Sequence, residues 1–149
     1  MTNRPPVLLL LIVSTVSTAY PQSRKEFPAT DVKAVLLPVS KVPWKDNPDL
    51  KGARGAPLWS AADKTSSDAF GRFPAGFVEG NEFTPVHVHD FGFKLVVLEG
   101  TLAVVVEGAS PVELGPGSYG NVPPSMKHSV ACRQGADCVY FITYWRRKP

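Results

Sequence analysis

The sequence predicts an all-β protein, and three observations carry that expectation. Fifteen prolines and 12 glycines in 149 residues leave little room for long helices, because proline breaks a helix interior. Short apolar and β-branched runs recur with turn residues between them. No stretch after residue 19 holds a helical apolar period of useful length. Strands at such short, regular spacing pack as a β-sandwich or a small barrel. The apolar share of 44% excludes a disordered chain, and the length supports one domain. Net charge is only +3 and the basic residues are scattered, so no nucleic-acid partner is expected.

The first residues read as an export signal. Arg4 and the free amine form a short positive region, residues 7–13 are apolar, and Ser17 and Ala19 are the small side chains that a signal peptidase accepts. Cleavage is placed before Tyr20. The seven-residue apolar run is far short of the roughly 20 residues a helix needs to span a bilayer, so no membrane span is expected after cleavage. The expected location is secreted or periplasmic.

Residues 20–30 read as a polar lead, 31–39 as a first strand ended by Pro38, and 42–56 as a Pro/Gly-rich loop or arm outside the core. Short elements are expected around 58–59, 70–77 and 84–89. The strongest β signal follows, with 95–98 and 101–106 flanking Glu99-Gly100 as a hairpin. Strands are then expected at 111–114, 119–122, 128–132 and 138–145. Cys132 and Cys138 flank a five-residue loop with Gly135 and Asp137, read as a hairpin turn across which the two cysteines can bridge in an oxidising compartment. The alternative is a pair of free thiols packed as small apolar groups.

All three histidines fall near strand ends. His87 and His89 are one residue apart, so in an extended strand both side chains point to one face. A His-x-His pair is a two-point grip for a divalent metal, and His128 adds a third point if its strand lies alongside. Taken alone, such a pair is more often surface-exposed or merely hydrogen-bonded than a metal grip.

In its surroundings this set resembles the cupin superfamily, whose β-barrels carry two short motifs. His87, His89 and Gly100 fit the first motif; Gly117, Pro123 and His128 fit the second. The resemblance spans roughly residues 70–144, and several phrases in it are similar to an uncharacterised, often exported branch. It implies a cupin-like jelly-roll β-barrel over 57–149, preceded by the signal peptide (1–19) and an N-terminal lead, strand and arm (20–56). It also implies a divalent transition metal on His87, His89 and His128. Where the first motif carries a glutamate this chain has Phe93, so three neutral histidines remain, a set that suits Fe, Zn, Ni or Cu. Glu79, Glu82 and Asp90 are candidate substitutes for the acid, although Asp90 has the wrong strand parity.

Phe91 and Phe93 share parity with the histidines and are expected to line a greasy pocket. Tyr119 and Asn121, near the second motif, are candidate substrate contacts, the tyrosine also a core residue. The implied function is a small-molecule metalloenzyme of dioxygenase, isomerase or lyase type. Alternatives are a non-catalytic module for a small ligand or metal, and a metal-free scaffold. Cupins often pair through sheet faces, and outward Val96 and Leu98 point to a homodimer.

Overall fold

In β4 (Gly92–Glu99) the buried side chains are Phe93, Leu95 and Val97, while Lys94 and Leu98 face solvent. That period of two is the mark of a strand with one face on a core. The computed structural model describes residues 34–78 and 83–146. The expected signal segment, Glu79 and Glu82 lie outside the described residues. Eight further strands accompany β4: β1 (Lys45–Asp46), β2 (Arg54–Ser60), β3 (Ser66–Phe73), β5 (Leu102–Val106), β6 (Val112–Leu114), β7 (Tyr119–Val122), β8 (His128–Cys132) and β9 (Cys138–Trp145). The sole helical piece among the described residues is a 3₁₀ turn, Val39–Lys41.

All pairings are antiparallel. One sheet has the order β1-β2-β3-β9-β4-β7 and the other the order β6-β5-β8. Leu95, Val97 and Ile142 from the first sheet and Leu102 and Cys132 from the second belong to one buried cluster, so the sheets close over a shared core. This is the all-β jelly-roll expected.

Two expected hairpins are instead corners between the sheets. Residues 95–98 and 101–106 do form β4 and β5, but β4 pairs with β9 and β7, and β5 pairs with β6 and β8. Gly100 turns the chain at φ +72°, and a Cβ there would lie 2.5 Å from the Asp137 carbonyl oxygen, so the position requires glycine. The loop after Cys132 does the same, carrying the chain from β8 in the small sheet to β9 in the large one. A glycine turn between two apolar runs marks a reversal, but it does not say whether the runs then pair. Cys132 and Cys138 are disulfide-bonded with Cα atoms 5.8 Å apart, and the bond staples sheet to sheet.

The disulfide loop is anchored from outside as well. The Asp137 carboxylate accepts a bond from the Ala75 backbone N–H at 2.9 Å and another from Arg72 Nε at 2.8 Å. The Ala75 bond first, and the Arg72 guanidinium second, hold that carboxyl below its usual range.

The N-terminal half differs from expectation. The described part of 31–39 forms no strand; Leu36 is 90% exposed, and Pro38 leads into the 3₁₀ turn. The 42–56 stretch is not outside the core, since it holds β1 and the start of β2, with Ala53 and Ala56 buried. Small apolar residues and a backbone ladder supply this packing, and neither stands out in a Pro/Gly-rich composition.

Because the disulfide closes only a short loop, its loss has a modest expected effect. Replacing both Cys132 and Cys138 by serine lowers the unfolding free energy by about 2–3 kcal/mol on the chain-entropy model, read from urea denaturation midpoints at constant slope.

Candidate metal centre

Residues 84–89 form no strand of their own, but they run along β8. Thr84 N–H donates to the Val130 carbonyl at 2.9 Å, and His87 and His128 exchange two backbone bonds of 3.0 Å each. The Thr84 hydroxyl accepts from the Val130 N–H at 3.0 Å, closing the ladder with a side chain. A turn through Pro123 and Pro124 then brings Ser125 N–H to the His89 carbonyl at 2.8 Å. Three short segments are thereby locked around the histidines.

The three rings converge. Centroid separations are 4.4 Å for His87–His128, 5.0 Å for His87–His89 and 5.3 Å for His89–His128. One ring nitrogen from each lies within 4.8 Å of the others. Two rings are fixed through their second nitrogen: His87 Nδ1 meets the Pro85 carbonyl at 2.8 Å and His128 Nδ1 meets the Met126 carbonyl at 2.9 Å. A carbonyl only accepts, so each Nδ1 carries the proton, and each Nε2 is left with its lone pair. Metal-ligating histidines are held in this way, with the outer nitrogen donating to an oxygen. The donor set therefore fits a divalent transition ion.

His89 is held by stacking instead, with the Phe91 ring 4.5 Å away at 10°. Phe93 packs edge-on to His128 at 5.2 Å. Burial lowers the pKa of both His89 and His128; for His128 the Met126 carbonyl opposes this and His87 adds to it, and for His89 the other two histidines add to it against Asp90. Both are held towards the neutral form that a metal requires.

No family model and no curated protein matches the chain. Solved structures do. A predicted oxalate decarboxylase from Thermotoga maritima superposes with a TM-score of 0.62 at 16% identity, covering 76% of this chain and all of that one (100%). An RmlC-like cupin from Shewanella frigidimarina gives 0.59 at 20% identity, covering 74% of this chain and 88% of its own. The polyketide cyclase RemF from Streptomyces resistomycificus gives 0.59 at 19% identity, over 79% and 82%. This chain has the cupin fold.

In this cupin fold a cavity of about 1190 Å³ opens onto the histidines. Phe91 and Phe93 line it, as expected from their parity. Tyr119 and Asn121 do not line it, and Tyr119 is 59% exposed rather than packed in the core. The register gives the reason. Inward Phe93 and Leu95 face Val122 and Gly120 across β4 and β7, which leaves Tyr119 and Asn121 on the outer face with Val96 and Lys94. Asp90 turns away to solvent and pairs with Arg146 at 3.0 Å, so it does not replace the missing acid.

Sequence reasoning missed Tyr140, Tyr144, Thr84 and Trp145, all of which line the cavity. The tyrosines flank Ile142 with a period of two in β9, and Tyr144 sits opposite Phe93. That alternation was available as a signal, but β9 mixes apolar and hydroxyl side chains on both faces, and its inward side cannot be chosen without the register. Burial raises the pKa of both tyrosines, so both stay protonated donors at neutral pH.

The lowered histidine pKa values set a pH dependence for the metal-free protein. An unfolded histidine takes its proton near 6.5, whereas folded His89 and His128 resist protonation to lower pH. Their contribution to stability is thus complete above 6.5 and declines as pH falls towards their folded values. Urea midpoints between pH 7.5 and 5 fall accordingly, and a His89→Gln variant shows a shallower fall.

Proposed function

We propose that this chain is an exported cupin metalloprotein that holds a divalent transition metal on His87, His89 and His128 and acts on a small organic molecule. The observation that carries the reading is the convergence of three ring nitrogens within 4.8 Å, two of the rings pinned through Nδ1 to backbone carbonyls. Fe, Zn, Ni and Cu all accept such a donor set. A bound ion of this kind supplies Lewis-acid polarisation or oxygen binding.

The chain's own groups do the rest. The Pro85 and Met126 carbonyls keep the His87 and His128 rings in the tautomer that presents Nε2. Phe91 covers one face of the His89 ring and Phe93 packs edge-on to His128. Tyr144, 5.3 Å from Phe91 between ring centroids, keeps its phenolic proton and is a donor available to a substrate oxygen in the cavity, as is the buried indole N–H of Trp145, unpartnered among the described residues.

A second reading, a non-catalytic binding module, is favoured by Phe93. It stands where a cupin carboxylate would otherwise reach the metal, and Asp90 is engaged with Arg146. Among the described residues, the group able to hold the ion consists of histidines alone.

Export is supported by the signal-like pattern of residues 1–19 and by the disulfide, which suits an oxidising compartment. A homodimer is supported by an apolar row on the outer sheet face, where Tyr119 and Phe141 flank Val96 in register and Phe70 lies 5.9 Å from Phe141.

Elemental analysis of the purified protein is the decisive experiment. Wild type carries about one transition ion per chain, and His128→Ala carries roughly a tenth of that or less, with the β-sheet circular dichroism retained. Near-zero metal in both proteins refutes the reading. Turnover is then checked by oxygen uptake with small carbonyl or phenolic compounds. For the dimer, Val96→Lys shifts the sedimentation coefficient to that of a monomer, and an unchanged value removes this face from consideration.

A further inference from the structure

The cavity has two ends with different chemistry. At the histidine end Phe91 and Tyr144 meet edge to face at 5.3 Å, and Phe93 lies 5.2 Å from His128. At the disulfide end Phe73 stacks on Phe77 at 4.6 Å and sits 5.6 Å from Tyr140. Leu95, Val130 and Ile142 line the stretch between. Of the cations that border the cavity, the lysines and Arg146 are exposed and Arg146 is paired with Asp90, while half-buried Arg54 is paired with Asp46 at 3.2 Å. Walls of this kind favour a flat, ring-bearing body, because aromatic faces bury large area in defined geometry.

Phe93 defines the other requirement. Among the described residues, three neutral imidazoles bring no negative charge to a divalent ion and Asp90 is turned away, which leaves a place for an anion from the ligand. Resting on the metal reading above, we propose that the site takes a molecule with an apolar aromatic body and one acidic oxygen, an aryl carboxylate or a phenol. The ring lies against the Phe91–Tyr144 wall and the oxygen at the histidines.

Titration calorimetry of the zinc-loaded and zinc-free protein with 2-naphthoate, 2-naphthol and acetate tests this. The tighter naphthyl probe binds the zinc form at least about 30-fold better than acetate does, and at least about tenfold better than it binds the zinc-free form. The two naphthyl probes separate the carboxylate source of the oxygen from the phenolic one. Acetate binding as tightly as both overturns the aromatic body, and indifference of both to zinc overturns the acidic oxygen. Failure to take up zinc brings down the metal reading together with this one; zinc uptake without a naphthyl preference brings down this one alone.

A steric variant gives an independent check. A Cβ on Gly71 would lie 2.2 Å from Tyr140 Cζ, so Gly71→Ala forces that ring to move within the cavity, at the end away from the histidines. Because the ring is placed at the other end, naphthyl affinity, zinc content and acetate affinity all hold within about twofold. A tenfold loss of naphthyl affinity in a folded variant places the ring at the disulfide end and overturns the proposal.

Discussion

Two peptide hydrogen bonds of 3.0 Å, exchanged between His87 and His128, hold together everything the site requires. They join residues 41 apart in sequence, where the segment 84–89, held also at Thr84 and Val130, runs along β8. Each such bond contributes only about 1 kcal/mol net, yet the pairing sets which way both rings face. In an antiparallel pair, residues directly opposite each other project to the same side, so one bridge aims two imidazoles into one cavity. His89, two residues on, inherits that side by parity. Slipping the bridge by one residue would turn His87 and His89 outward, where Val86 and Val88 now stand exposed.

The rest of the fold serves to keep that register. Gly100 and the loop after Cys132 carry the chain between sheets at the end of the molecule away from the histidines, and the disulfide ties the sheets there. Arg72 and Ala75 reach the same loop through Asp137. The cross-links are thus concentrated at one end, while the other end remains an opening lined by imidazole and phenyl rings. A two-sheet roll sealed at both ends by side-chain packing would leave no space for a ligand.

Much of this was legible in the sequence, and the limits have a physical pattern. Strand positions from residue 112 onward were readable because glycine and proline bracket each β-branched run. The histidine set was readable because parity in an extended segment needs no partner. What required a partner was not readable. The 95–106 pair looks like a hairpin until each strand's neighbours are known, and Tyr119 looks inward until Val122 is seen opposite Phe93. Tyr140 and Tyr144 alternate correctly, but Val139 and Phe141 make the other face of β9 as apolar, and the single hydroxyl of Thr143 does not mark it as the outer one. In the N-terminal part, Ala53 and Ala56 are buried without any apolar run to announce them.

Phe93 is the residue at which local and electrostatic demands diverge. As the first inward side chain of β4 with a β-carbon it meets His128 and belongs to the core, so an apolar ring there stabilises the strand by roughly 1.5–3 kcal/mol of burial. A carboxylate in its place would attract a divalent ion by several kcal/mol at an effective dielectric of about 20 and a separation of about 4 Å. Without an ion it would be a charge enclosed by phenyl rings, and would itself be driven towards the protonated form. Phenylalanine therefore makes the metal-free barrel easier to maintain and leaves an ion, once held, with its full charge facing the cavity. Among the described residues, the same phenylalanine that strengthens the core leaves the neutralisation of a held ion to whatever enters the cavity.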